Sequence, residues 1–171
     1  LVSTPDAAGC GIGTYTGQLT RHLEGSVNLH QVYLEIDSVN PIHFLRTATR
    51  AALADTDVVH VQHEYGLFGP KGVLSWVFFP ILYVLTTLRG KPIVLTVHEA
   101  WSRETIESRP YLIKWFYIQV VNWMLRCIAS EMIFLSDSVE QTFSETTDLE
   151  STHRIPHGVV FEEQSGLSKA E

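Results

Sequence analysis

Runs of β-branched and aliphatic residues, each followed by a stretch with helical periodicity, constrain this chain more than any other feature. The clearest is KPIVLTVHE, Lys91 to Glu99. Its apolar residues are consecutive rather than alternating, which suggests burial on both faces, as in parallel sheets. Gln31–Ile36, Asp57–Gln62 (DVVHVQ) and Glu131–Leu135 (EMIFL) read as further strands. Leu1–Ser3 reads as the tail of a first strand, and Arg154–Val159 as a last short strand or turn. Between them the spacing predicts helices over Thr14–Leu23, Pro41–Ala54, Lys71–Leu88, Pro110–Ala129 and Ser138–Glu145. Pro41 falls in a first turn, where a missing N–H costs nothing. Pro80 is expected to kink or split its helix. Strands and helices alternating in this way predict an α/β, Rossmann-like domain: a parallel sheet with helices on both faces.

The chain has 171 residues, enough for one domain with a real core. Its formal net charge of -7 argues against a nucleic-acid-binding surface, which is normally basic. Two cysteines, Cys10 and Cys127, imply no disulfide framework and fit a reducing compartment, so a cytoplasmic location is expected. The uncharged run Gly72–Leu88 mimics a membrane span, but it is short for one and Pro80 interrupts it; a buried helix is expected instead. The chain opens with Leu inside a strand and ends in a polar run. The expected organisation is a domain over 1–160 and a linker or truncated tail over 161–171.

In parallel sheets ligands sit beyond the carboxyl ends of the strands, at a switch point. Gly9, Gly11, Gly13 and Gly17 follow the first strand. His63, Glu64 and Tyr65 follow the third; His98, Glu99 and Trp101 follow the fourth. Ser136 follows the fifth, and His157 with Gly158 the last. A glycine loop opening a helix lets backbone N–H groups approach a phosphate, aided by the helix dipole. The plainer alternative is a turn that needs positive φ. His98 is the foremost candidate for chemistry, able to bond a sugar hydroxyl or shuttle a proton; it could equally be a satisfied core histidine. His60, His63, Glu64, His98 and Glu99 could suggest a metal site, but opposite parity sends His60 and His63 to opposite faces, and no metal is expected. Ser136 reads as a helix N-cap rather than a nucleophile.

Two further patterns leave alternatives open. Gly11-x-Gly13-x-x-x-Gly17, with Asp37 (or Glu35) near the end of the second strand, is similar to a nicotinamide dinucleotide fingerprint, although no hydride-transfer constellation follows. In Tyr111–Ala129 the polar residues Lys114, Gln119, Asn122 and Arg126 form one stripe on an otherwise apolar, aromatic helix. That suits contact with a membrane interface, or a helix wedged between the sheet and a neighbouring domain.

Taken together, CGIGTYTGQL, DVVHVQHEYGLFG, PIVLTVHE, MIFLSDSVEQTF and IPHGV resemble, in order and spacing, the amino-terminal half of a retaining glycosyltransferase of family 4 with the GT-B architecture. The resemblance covers Leu1 to Val160. It implies transfer of a sugar from a nucleotide-diphosphate donor, with retention and no obligatory cofactor or metal. It implies a donor-sugar contact at His98, and donor binding at Gly11, Gly13 and Gly158. His63, Glu64, Tyr65, Glu99, Ser136 and His157 are expected at the acceptor side or cleft. The implied partners are a nucleotide sugar, a sugar or lipid-linked acceptor, and a carboxy-terminal, donor-binding domain of the same chain. A position at the inner face of the membrane through Tyr111–Ala129 would suit a lipid-linked acceptor. Val160 stands where the family usually has Asp, and the family's second half would lie beyond residue 171. The remaining alternatives are an NAD(P)-binding oxidoreductase domain and a non-catalytic interaction module.

Overall fold

A computed structural model describes residues 1–6, 9–104, 106 and 111–158, apart from the side chain of Tyr111. Six strands form one wholly parallel sheet: β1 (Val2–Ser3), β2 (Val32–Tyr33), β3 (Val59–His63), β4 (Ile93–Val97), β5 (Glu131–Phe134) and β6 (Thr152–Arg154). Their order is β2-β1-β3-β4-β5-β6. The helices are α1 (Gly11–Leu23), α2 (Pro41–Leu53), α3 (Ser75–Leu88), α4 (Tyr111–Ile128) and α5 (Asp137–Ser144). The sheet is the Rossmann-like arrangement expected from the alternation of elements. No helix among the described residues is long and apolar enough to cross a membrane.

The strand order fixes where the helices go. The chain leaves β1 toward β2 in one direction and returns past β1 to reach β3. Right-handed crossovers therefore put α1 on one face and α2 to α5 on the other. The switch point lies between β1 and β3.

The two faces differ in character. Val2 pairs with Val61, and β3 pairs with β4 from Val59↔Ile93 to His63↔Val97. Val2, Val59, Val61, Ile93, Leu95, Val97, Met132 and Phe134 all face α2–α5 and are buried. On the α1 face lie Ser3, His60, Gln62, Val94, Thr96, Glu131 and Ile133. Here the expectation of burial on both sides needs correction: His60, Val94, Glu131 and Ile133 are only partly covered. Among the described residues a single helix, α1, serves that face of a six-stranded sheet.

Several boundaries shift for local reasons. α3 is one helix running through Pro80, neither split nor begun at Lys71. The residues before it form short 3-10 turns, Tyr65–Phe68 and Pro70–Gly72, with Lys71 at φ 57°. α1 starts at Gly11 rather than Thr14.

Candidate functional site

The expected glycine loop is in fact the first turns of a helix. Gly11, Gly13 and Gly17 lie inside α1, and only Gly9 in the preceding loop has positive φ, 65°. Packing explains Gly13: a Cβ there would sit 2.4 Å from the Pro5 carbonyl oxygen. A Cβ at Gly17 would meet the flexible Asp6 carboxylate at 2.6 Å, whereas one at Gly11 would have open space. Glycine at 13 thus brings α1 against the chain leaving β1. Buried Ser3 and Thr16 hydroxyls hydrogen-bond across the same contact at 2.7 Å. The N-cap residue is Cys10, whose side chain makes no capping bond, and the first turn holds no acid. The opening amides of α1 are therefore not satisfied by a cap, which leaves this helix end electrostatically positive.

α1 also reaches the histidine at the end of β4. The Tyr15 ring lies edge-on to His98 at 5.1 Å and to His157 at 5.0 Å; the two imidazoles are 6.0 Å apart. Main-chain His98 N–H donates to the His63 carbonyl at 2.9 Å, extending the β3–β4 ladder by one step. His98 Nε2 lies 2.7 Å from Gln62 Oε1. Burial first, and then the neighbouring His157 and His60, pull the His98 pKa down to about 4. The ring is neutral near pH 7, suited to hydrogen bonding rather than to carrying charge.

The other expected site residues separate into rim and core. Glu64 and Glu99 follow the adjacent strand ends and are partly buried. Burial and the Glu99 charge raise the Glu64 carboxyl above its ordinary range. His157 and Gly158 are exposed beyond β6. Ser136 caps α5, accepting from the Val139 N–H at 3.3 Å. His63 and Tyr65, expected in the cleft, lie in the core instead. His63 faces the opposite side of the sheet from His60, 0 % exposed, stacked on Phe68 and flanked by Tyr65 and Phe79. Neither of its ring nitrogens has a partner among the described residues. Tyr65 tucks under α4 and donates to the buried Asn122 Oδ1 at 2.6 Å. Reading by residue type missed Tyr15 and Gln62, although position 62 shares the parity of His60 and so the face of β3 that leads to His98.

Helix α4 packs Ile118, Val121, Leu125 and Ile128 on the core and carries part of its polar stripe inward beside them. Asn122 is fully buried, donating onward to Thr146 at 2.8 Å, and Arg126 pairs with Glu150. Solvent instead meets Leu112 (71 % exposed), Ile113, Phe116 and Trp123. A cavity of about 260 Å³ opens nearby between α2 and α3, lined by Ile42, Leu45, Trp76 and Pro80 among others. At the histidine rim the rings of Tyr15, His98 and His157 form a triangle of mutual contacts. Among the described residues no group of three His, Cys, Asp or Glu converges to hold a metal ion.

Fold and rim together define a Rossmann-like α/β domain whose uncapped helix start and neutral imidazole share one sheet edge. The chain matches no protein-family model, and no curated protein matches it.

Proposed function

We propose that this domain is the amino-terminal half of a retaining glycosyltransferase that uses a nucleotide-diphosphate sugar. The observation that carries the reading is the meeting of α1 and His98 through Tyr15 at the carboxyl edge of the sheet, beside the switch point. The α1 amides suit a diphosphate, and a neutral imidazole suits a sugar hydroxyl. In the transfer the bond from the anomeric carbon to the diphosphate oxygen breaks, and its electron pair leaves with the diphosphate. The acceptor hydroxyl oxygen bonds the same carbon on the same face, and its proton passes to the departing diphosphate oxygen. The role given to α1 is to stabilise charge growing on the leaving group. His98 orients the sugar, and Glu64 and Glu99 border the acceptor side. For the nicotinamide alternative, the glycines of its fingerprint, Gly11, Gly13 and Gly17, all lie inside α1 rather than in the turn before it.

The test is a screen of nucleotide-sugar donors with the longest natural polypeptide that contains this chain. His98→Ala should reduce transfer at least tenfold while the melting temperature holds. Equal transfer by both proteins, or tight binding of NADH in place of a sugar nucleotide, would overturn the reading.

A membrane-bound acceptor fits the apolar outer stripe of α4. Acid is absent from α2, α3 and α4, although the chain as a whole carries -7. Phe116→Ser with Trp123→Ser should lower binding to anionic phospholipid vesicles several-fold without loss of folding. Unchanged binding, or none by the parent, rejects this contact.

A further inference from the structure

The face of the sheet that carries His98 also buries an amide completely. Gln62 is 0 % exposed, yet it sits between two imidazoles. Its Oε1 is 2.7 Å from His98 Nε2, and its Nε2 is 3.5 Å from His60 Nε2. The Thr96 hydroxyl lies 2.7 Å from that same His60 nitrogen. An amide oxygen only accepts, so the short contact requires the hydrogen of His98 to reside on Nε2. The distances agree with this orientation: 2.7 Å is ordinary for N–H···O, and the long contact is left to the nitrogen–nitrogen pair. At the far end His60 Nε2 has a single lone pair to share: the Thr96 hydroxyl at 2.7 Å is its close partner and the Gln62 amide at 3.5 Å a marginal one. The His98 imidazole is thus held by Gln62 on one side and by the rings of Tyr15 and His157 on others. No hydrogen bond to its Nδ1 is present among the described residues, and the residue is only partly buried.

We propose that Gln62 is a positioning residue that locks His98 in the Nε2–H tautomer, so that Nδ1 faces the ligand as a hydrogen-bond acceptor. A hydroxyl is the group such an atom recognises. This ligand assignment rests on the glycosyl-transfer reading; the tautomer does not. Gln62 makes the choice because an imidazole left alone exchanges between its two neutral forms. Thr96 and His60 hold the amide from the side remote from the ligand.

The experiment is long-range ¹H–¹⁵N correlation of the histidine rings at pH 7, without ligand. The parent protein should show His98 with Nε2 protonated and Nδ1 bare. Gln62→Leu should give an averaged mixture or the opposite tautomer, with circular dichroism confirming the fold. Gln62→Glu keeps an acceptor at the same place. It should preserve the tautomer and raise the His98 titration midpoint by one pH unit or more, because a carboxylate favours the charged ring. A mere packing role would make Leu and Glu equally harmful and leave the tautomer unmoved. An Nδ1–H form in the parent, or an unchanged tautomer in Gln62→Leu, overturns the proposal. Should the Leu variant fail to fold, the parent spectrum and the Glu variant decide. No sugar nucleotide enters these measurements. Loss of the glycosyl-transfer reading would therefore leave their outcome intact, and the tautomer could fail while transfer survives His98→Ala as predicted.

Discussion

Alanine placed at two glycines of α1 separates packing from binding. At Gly13 the new Cβ would stand 2.4 Å from the Pro5 carbonyl oxygen, with Thr4 Oγ1 at 3.3 Å. Such contacts do not occur below 3.0 Å, so helix or loop must yield by about 0.6 Å. The obstructing atom is backbone, attached to a proline with a fixed φ, and cannot swing aside. Overpacking of this kind costs about 1–3 kcal/mol. The gain in helix propensity from glycine to alanine returns about 1 kcal/mol at most. Gly13→Ala should therefore be neutral to destabilising by about 2 kcal/mol. Gly11→Ala meets open space and should be neutral or stabilised by up to about 1 kcal/mol. Urea unfolding followed by tryptophan fluorescence measures both, with equal m-values confirming that the change lies in the folded state. Because the propensity gain is common to both, Gly13→Ala should lie about 1–3 kcal/mol below Gly11→Ala, and if the two agree within about 0.5 kcal/mol, the steric account of Gly13 fails. The binding account predicts the reverse ranking: a methyl at the open position 11 obstructs the diphosphate in the longer polypeptide and lowers donor affinity, although the fold is unharmed.

Acid should weaken the fold well before its carboxylates protonate. Burial lowers His60 and His98 to about 4 and His63 to about 3, from an unfolded value near 6.5. The neutral rings contribute stability that is fully present above pH 6.5 and is lost as pH falls toward those folded values. Each costs roughly 2 kcal/mol at pH 5, so urea midpoints at pH 7 and pH 5 should differ clearly; equal midpoints would show these rings to be exposed. His63→Leu should stabilise the protein at pH 7 by about 1–2 kcal/mol, since both ring nitrogens are sealed without partners, and should remove part of the acid sensitivity. A loss of more than about 1 kcal/mol by the same unfolding assay would mean that His63 has a bonding partner after all.

The periodic features of the sequence carried the architecture, and parity along DVVHVQ was enough to put His60 and His63 on opposite faces. What did not come through depends on contacts between distant segments. Whether Gly13 opens a loop or fills a helix is decided by the Pro5 carbonyl, which no local pattern reveals. His63 and Tyr65 follow a strand as ligand-binding residues do. The chain then folds into a 3-10 turn beneath α3 and α4, and the phenol finds Asn122. That one bond also explains why Asn122 sits among the buried Ile118, Val121 and Leu125 of α4: it satisfies a buried hydroxyl. Leu112, Ile113, Phe116 and Trp123 of the same helix face outward. Gln62 escaped notice because an amide inside an apolar strand has no chemical signature until its neighbours are known.

The two faces of the sheet differ in what they bury. Toward α2–α5 the strands present valine, leucine, isoleucine and phenylalanine, and substitutions that shorten them should act through cavities. Toward α1 they present Ser3, His60, Gln62 and Thr96, whose desolvation is offset by hydrogen bonds: Ser3 to Thr16 of α1, Thr96 to His60, and Gln62 to His98. A purely structural sheet would gain by filling this face with aliphatic residues and a second helix. The polar chain instead runs along β3 and β4 and ends at His98, at the rim where α1 begins. A substitution at Gln62 should therefore be felt at the His98 ring as well as in stability.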